Sequence, residues 1–331
     1  MKSILIVRLG AMGDIIHALP GASSLKHSFP DARVTWVVEP RWIPLLEGNG
    51  FVDRIVVFRR DDPRSWRRTK DELRGEHYDL AVDFQGLTKS ALIAHLARPE
   101  RIAGFGSSVV RERPAGLFYS TRVQSGAIHV VDQALDLAAG AGATNLVRAF
   151  PLPAGVPEGR LPAEPFVLAS PLAGWTSKQW PVEYYARLAV MLREKLGMPL
   201  VLNGAPGSLP VVDGAMAHAS GIPGLIDATR RAALVIGVDS GPLHLAAALN
   251  KSGAAVFGPT DPMRNGPYGG DFEIFRIAGA PTTHRRGTTI APSMRAITPE
   301  QVFAALASRV KSAQAEGPLC ATSKSHAGST A

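Results

Sequence analysis

The stretch "VRLGAMGDIIHALP" (residues 7–20) joins the end of a short apolar run to a segment that predicts a helix. Two glycines, Gly10 and Gly13, flank Met12 in the connecting turn, and Asp14 follows directly. A strand, a glycine turn and a helix in this order are typical of parallel sheets that bind ligands at the carboxyl ends of their strands. The helix dipole would keep Asp14 ionised, and that charge would repel a phosphate. The pattern therefore favours a carboxylate acting as a base, or one that only caps its helix.

The first half of the chain continues this alternation of short apolar runs and helical patterns. We predict strands at 4–9, 33–39, 54–58, 79–84 and 101–105, with helices between them at 41–48, 63–75 and 87–97. Short apolar strands separated by helices indicate a parallel, doubly wound α/β sheet.

A proline-rich segment divides the chain into two halves. The stretch "FPLPAGVPEGRLPAEP" (150–165) contains five prolines and no periodicity, which predicts a linker. Beyond it we predict strands at 166–170, 199–203, 234–238 and 253–257, and helices at 182–197, 242–249 and 298–313, the last with Thr298 as N-cap. The sequence thus indicates two Rossmann-like α/β domains facing a cleft, over 1–150 and 166–312, joined by a linker at 151–165 and followed by a disordered tail at 313–331.

Composition narrows the class of protein. One cysteine among 331 residues, Cys320, excludes an internal disulfide and fits a reducing compartment. Arg8 and Asp14 interrupt the first apolar stretch, which argues against a signal peptide, and no window is apolar for the roughly 20 residues that span a bilayer. We therefore expect a cytoplasmic protein. The net charge of +8 indicates an acidic partner, which could be nucleic acid, anionic lipid or a polyanionic substrate.

A second candidate site is the turn within "GVDSGPLHLAAAL" (237–249), where a buried strand ends at Asp239 and Pro242 opens a helix. We expect the N–H groups of Ser240, Gly241 and Leu243 to face outward, as an anion site requires, with His244 close by. An ordinary capped helix with a surface histidine would show the same pattern.

A third candidate site is "SPLAGWTSKQWP" (170–181), which lies between the first strand and the first helix of the second half. Thr176 and Ser177 offer hydroxyls, and Lys178 offers a cation that could neutralise a leaving diphosphate. A solvated surface lysine is the alternative interpretation.

Other features are less specific. The run "RRDDPRSWRRTKDELR" (59–74) has seven basic residues against four acids, which is typical of a solvated helix face but concentrates positive charge. The sequence contains no P-loop, no GxGxxG, no HExxH and no zinc-spaced Cys/His cluster. Nucleic-acid binding would rest on charge alone.

Taken together, these segments resemble glycosyltransferase family 9, the lipopolysaccharide heptosyltransferases, from residue 1 to about 312. The resemblance rests on "ILIVRLGAMGDIIHALP" (4–20), "YDLAVDFQGLTKSALIA" (78–94), "SKQWP" (177–181), "GVDSGPLHLAAAL…VFGPTDP" (237–262) and "SMRAITPEQV" (293–302). It implies a GT-B fold and an inverting transfer of L-glycero-D-manno-heptose from ADP-heptose to the Kdo sugar of Kdo-lipid A. It also implies that no metal or other cofactor is needed, and that the enzyme works peripherally on the cytoplasmic face of the inner membrane.

The resemblance also assigns roles to individual residues. It implies that Asp14 is the base that deprotonates the acceptor hydroxyl and that Lys178 holds the donor diphosphate. The donor-binding residues that it implies are Ser170, Thr176, Ser177, Lys178, Asp239, Ser240, Gly241, Leu243 and His244. The acceptor-binding residues that it implies are Gly13, Arg59, Arg60, Gln85, Lys89 and Arg111.

The sequence departs from the family pattern in two places. The segment 217–241 is shorter than expected by roughly a helix, in the region where the family encloses the adenine. Gln133 stands at a position where a basic residue that contacts the acceptor is expected. Three alternatives stay open from the sequence: a family 9 transferase with another acceptor or nucleotide-sugar, a non-catalytic relative that binds anionic lipid, and a nucleic-acid-binding protein.

Overall fold

The computed structural model describes residues 1–283 and 286–315, and its first half is built around one parallel sheet of six strands. The strand order is β3-β2-β1-β4-β5-β6, which is the Rossmann order with its switch point between β1 and β4. The strands and helices of this half are β1 (Ser3–Val7), α1 (Met12–Ser28), β2 (Arg33–Val38), β3 (Arg54–Val57), α2 (Pro63–Arg74), β4 (Leu80–Asp83), α3 (Thr88–Leu96), β5 (Arg101–Phe105), β6 (Thr121–Val123) and α4 (Val130–Gly140).

The second half repeats the arrangement with a sheet of order β12-β11-β10-β7-β8-β9, again parallel throughout. Its switch point lies between β7 and β10. Its strands and helices are β7 (Val167–Ser170), α5 (Val182–Leu196), β8 (Leu200–Gly204), β9 (Ala215–Ala219), α6 (Ile222–Arg231), β10 (Leu234–Val238), α7 (Gly241–Ala248), β11 (Ser252–Phe257), α8 (Pro262–Asn265), β12 (Asp271–Arg276), α9 (Pro292–Arg295) and α10 (Pro299–Ala315). The predicted fold class, two parallel α/β domains, is confirmed.

The central strands were predictable because both of their faces are buried. Ile4, Leu5, Ile6 and Val7 of β1 are fully inaccessible to solvent, as expected for a parallel strand covered by helices on both sides. The edge strands β9 and β12 and the short strand β6 have partly exposed residues and no apolar run, so the sequence analysis missed them. It also missed the helices α4 and α6.

Within residues 1–283 and 286–315, three short segments form 3-10 helices, Pro40–Leu45, Arg113–Phe118 and Thr176–Lys178. The prediction of an ordinary helix over 41–48 was wrong, because Pro44 lacks the N–H that would continue α-helical hydrogen bonding. At the other end of the chain, Thr298 caps α10 as predicted: its hydroxyl accepts from the N–H of Gln301, and the Gln301 side chain accepts from the N–H of Thr298. Helix α10 is described as far as Ala315 and so includes the first three residues of the predicted tail at 313–331; residues 316–331 lie outside the described residues.

The linker segment contains no helix or strand and packs on the second half. The Glu158 carboxylate accepts from the N–H groups of Gly221 and Gly224 and so caps the N-terminus of α6, while Arg230 donates to the carbonyls of Leu152 and Pro153. None of the helices within the described ranges is both long and apolar enough to cross a bilayer.

The two domains meet where the N-termini of α1 and α7 approach each other. A methyl group placed on Gly13 would lie 2.5 Å from Cδ2 of His244, and one placed on Gly241 would lie 2.7 Å from Cβ of Met12. Only residues without a side chain allow this separation of the two helices.

Candidate active site

A cleft of about 910 Å³ opens between the domains at the carboxyl ends of both sheets. The first domain lines it with the start of α1 and with Arg41 and Trp42. The second domain contributes the turns after β7, β8, β9 and β10. The predicted site residues that line the cleft are Gly13, Asp14, Ser170, Lys178, Asp239, Ser240, Gly241 and His244.

Asp14 lies in the first turn of α1 between two arginines. Its Oδ1 is 2.7 Å from Nη2 of Arg8 and 3.0 Å from Nη2 of Arg111, and its Oδ2 accepts from the N–H of Ala11 at 3.3 Å. Burial opposes ionisation of this carboxyl, but the two guanidinium charges outweigh that effect and hold its pKa well below the usual range. Asp14 therefore caps its helix and is also a carboxylate exposed to the cleft, so the two interpretations of the sequence coexist.

Arg8 is held by backbone rather than by the carboxylate alone. Its Nη1 donates to the carbonyl of Phe84 at 2.6 Å, and burial lowers its pKa to about 10. The side-chain oxygen of the neighbouring Gln85 accepts from the N–H of Leu9 at 2.8 Å, and the backbone N–H of Gln85 donates to the Asp83 carboxylate. Two loops that follow adjacent strands, β1 and β4, thus fix the position of the Arg8–Asp14 pair.

The opposite wall of the cleft carries a second buried ion pair. Nζ of Lys178 lies 2.9 Å from Oδ2 of Asp239, and Nε2 of His244 lies 3.4 Å from Oδ1 of the same carboxylate. Burial opposes ionisation of Asp239, but His244 and Lys178 hold its pKa well below the usual range. Lys178 also lies over the Trp175 ring, 4.8 Å from its centroid. A lysine, a carboxylate and a helix N-terminus therefore meet at one point in the second domain.

Three histidine rings connect the two walls. The rings of His17 and His244 are 4.3 Å apart between centroids, and those of His17 and His129 are 5.8 Å apart. Burial lowers the pKa of His17 well below its ordinary value, and the neighbouring His244 adds to that effect, so His17 is neutral at pH 7. His17 and His129 belong to the first domain and His244 to the second, so these edge-on and tilted ring contacts form part of the contact between domains.

Three predicted donor residues do not line the cleft. Leu243 is fully buried beside Gly237 and Phe257, and its N–H donates to the carbonyl of Ser240 instead of facing outward. Its prediction as an anion donor was wrong, because the helical turn uses that N–H. Ser177 is buried on the other side of its 3-10 turn, where its backbone bonds to Gly287 and Ala291. Thr176 begins the same turn and does not line the cleft.

The predicted acceptor residues also separate into two groups. Arg111 and Gln85 line a small cavity that adjoins Asp14, and Gly13 lines the main cleft. Arg59 and Arg60 are exposed, with Arg60 paired to Glu39 at 2.6 Å, and they line neither cavity. Lys89 is half-buried near Glu112 and lines neither cavity.

Comparison with known proteins decides the family. Residues 66–293 match the profile of glycosyltransferase family 9 (heptosyltransferase). The chain belongs to glycosyltransferase family 9. It is 30% identical over 295 residues to lipopolysaccharide heptosyltransferase 1 of Pseudomonas aeruginosa, and the alignment covers 80% of this chain and 81% of that relative. It is 29% identical over 302 residues to the enzyme of the same name from Escherichia coli K12, and that alignment covers 80% of this chain and 91% of the relative. The resemblance found in the sequence is confirmed, and the protein is a glycosyltransferase.

Solved structures show that the fold of this family 9 enzyme is GT-B, as predicted. E. coli ADP-heptose LPS heptosyltransferase II superposes with a TM-score of 0.75 at 20% identity, covering 95% of this chain and 100% of that one. E. coli heptosyltransferase WaaC with ADP-2-deoxy-2-fluoro heptose superposes with a TM-score of 0.73 at 22% identity, covering 93% and 100%.

Several residues at the site of this glycosyltransferase were not predicted from its sequence. Arg8 was considered only as an interruption of an apolar run, although it pairs with Asp14. Arg264 lines the small cavity from the second domain, and His17 lies between the domains. One signal was available for Arg8: a charged residue inside an otherwise buried strand end requires a partner. Arg264 gave no such signal, because the other residues that line the small cavity come from the first domain.

Proposed function

We propose that this enzyme transfers L-glycero-D-manno-heptose from ADP-heptose to Kdo of Kdo-lipid A, with inversion and without a metal. The observation that carries the proposal is the juxtaposition of Asp14 with Lys178 and Asp239 across one cleft. A single displacement needs a base on one side of the anomeric carbon and a group that stabilises the leaving diphosphate on the other. The resemblance to heptosyltransferase 1 relatives supports the choice of heptose and acceptor.

The acceptor side explains how Asp14 becomes an effective base. A carboxylate held by two guanidinium groups is a weak base, because catalysis favours a pKa nearer the working pH. Arg111 is the more exposed partner, with 41% of its side chain accessible compared with 6% for Arg8. An anionic acceptor that draws Arg111 away from Asp14 raises the pKa of that carboxyl and exposes it to the acceptor hydroxyl. We therefore propose that the acceptor's own negative charge activates its base.

The donor side provides positive charge from the protein itself. Lys178 and the N-terminus of α7 at Gly241 lie together, so a diphosphate that competes with Asp239 for Lys178 is met by a cation and a helix dipole. His77, Asp79 and Glu100 are close enough to hold a metal ion, but they lie at the amino-terminal edge of the first sheet, opposite the cleft. They do not supply a metal to the proposed reaction.

The basic face of the first domain supports action at the cytoplasmic surface of the inner membrane. Arg59, Arg60, Arg64, Arg67 and Arg68 are exposed on or beside α2. Positive charge in this position attracts an anionic lipid surface that carries the acceptor. Trp66 is partly buried and packs on Phe58, with centroids 5.0 Å apart, so it contributes to the domain's core.

The test is ADP release from ADP-heptose and Kdo-lipid A in the presence of excess EDTA. Wild-type protein should turn over in EDTA. Asp14→Asn should reduce kcat by about a hundredfold to ten-thousandfold, because it removes a general base without changing shape. Lys178→Ala should reduce kcat and raise KM for ADP-heptose.

Matched controls remove the same groups outside the cleft. Asp213 is an exposed carboxylate of the second domain and Lys311 an exposed cation of α10, so Asp213→Asn and Lys311→Ala should retain wild-type rates. Wild-type turnover that disappears in EDTA would contradict the metal-independent mechanism. Equal kcat for Asp14→Asn and wild type would exclude Asp14 as the base.

A further inference from the structure

A small cavity of about 40 Å³ lies beside the main cleft and shares Asp14 and His17 with it. Its walls come almost entirely from the first domain, with apolar contributions from Phe84, Phe105, Val109 and Val130. Its polar lining includes Arg8, Arg111 and Gln133. Arg264 is the one contribution from the second domain among the described residues that line it. The cavity is therefore complete only when the two domains are in contact.

The charges around this cavity do not balance. Three guanidinium groups, those of Arg8, Arg111 and Arg264, face the single carboxylate of Asp14. Burial lowers the pKa of Arg264, and the nearby positive charge of Arg111 lowers it further, although Asp14, Asp239 and Asp261 act in the opposite direction without cancelling the shift. A bound anion would relieve this repulsion, so the lining favours a small negatively charged group.

The position of Arg264 follows from the loop after β11. The Asp261 side chain accepts from the N–H of Met263 and caps the short helix α8, which carries Arg264 on its first turn. The Nη1 of Arg264 donates to Oδ1 of Asn265 at 2.9 Å, so an amide anchors its guanidinium. Its charge remains available at the boundary between the domains.

We propose that Arg264, together with Arg111 and Arg8, binds the carboxylate of the acceptor sugar. Because Arg264 belongs to the donor-binding domain, that domain then contributes directly to the choice of acceptor. The inference rests on the proposed function, because the acceptor is taken to be a sugar acid. A planar carboxylate matches the fork of guanidinium donors. Gln133 lines the same cavity, and its Nε2 donates to the carbonyl of Ala127 at 2.9 Å. The positive charge that Gln133 lacks is thus supplied from the opposite domain.

The first test separates acceptor binding from donor binding. Arg264→Gln should raise KM for the acceptor about tenfold to a hundredfold with KM for ADP-heptose unchanged, because one charge-assisted hydrogen bond is lost. Arg264→Lys should recover part of the loss. Arg193→Gln, which removes an exposed arginine of α5, should match wild type. A change in KM for the donor alone, or an acceptor KM within twofold of wild type, would overturn the proposal.

The second test moves the charge across the cavity. Gln133→Arg in the Arg264→Gln background should restore acceptor KM to within about threefold of wild type, because both positions line one cavity. Ala139→Arg adds the same charge to an exposed position of α4 and should restore nothing. Equal rescue by both substitutions would mean that general attraction, and not a defined carboxylate site, explains the effect.

A binding measurement keeps this inference distinct from the proposed transfer reaction. Calorimetric titration with free Kdo, and with its analogue in which the carboxyl is reduced to an alcohol, requires no turnover. Wild type should bind the acid better than the alcohol, and Arg264→Gln should lose that preference. If wild type binds the acid but does not release ADP, the transfer proposal fails and the carboxylate site stands. If wild type turns over and the preference survives in Arg264→Gln, the carboxylate site fails alone.

Discussion

The contact between α1 and α7 leads to a prediction about Gly241. A Cβ at this position would lie 2.6 Å from Sδ of Met12 and 2.7 Å from both Cβ and Cγ of Met12. Rotation of the Met12 side chain can move its sulfur but not its Cβ, so Gly241→Ala should force the two helices apart. Overpacking of this kind costs roughly 1–3 kcal/mol. Since about 1.4 kcal/mol corresponds to a factor of ten, the apposed arrangement of the domains should become about 5 to 150 times less populated.

The assay for this prediction is kcat/KM for ADP release, measured beside thermal unfolding. We expect kcat/KM to fall by that factor, because Asp14 and Lys178 cooperate only when the domains are apposed. The unfolding temperature should fall as well, because Met12 belongs to a buried apolar cluster that continues from one domain into the other. Gly126→Ala is the control, because a Cβ at Gly126 meets nothing within 4 Å. A kcat/KM for Gly241→Ala within twofold of that for Gly126→Ala would refute the reasoning.

Two further predictions concern stability. Tyr119→Phe should lower the free energy of unfolding by about 1–3 kcal/mol, because the Tyr119 hydroxyl donates to buried Asp83 at 2.6 Å. Urea unfolding measures this change, and a decrease of less than about 0.3 kcal/mol would contradict the prediction. Folding lowers the pKa values of Asp14 and Asp239. Between about pH 5 and pH 2 these two carboxyl groups therefore bind more protons in the unfolded chain than in the folded one. Their contribution to the free energy of unfolding should decrease as the pH falls through this range. The urea midpoint of Asp14→Asn should depend on pH less steeply than that of wild type or Asp213→Asn, and identical slopes would show that Asp14 does not contribute.

The sequence alone determined the central part of each sheet and the two turns that carry the site. Strands such as β1 and β10 are buried on both faces and therefore appear as continuous apolar runs, which marks where the polar residues Asp14 and Asp239 must follow. The edge strands β9 and β12 lack such runs because much of their surface is exposed, and so they were missed.

Only the tertiary structure decided which groups meet across the cleft. Asp14 pairs with Arg8 and Arg111, and Arg264 reaches the same cavity from a position 250 residues away from Asp14 in the chain. Hydrophobic periodicity reports the face that one element buries, whereas ion pairs between loops depend on how separate elements and domains pack. The sequence therefore determined where charged residues stand along the chain, and the packing of α1 against α7 decided which of them act together.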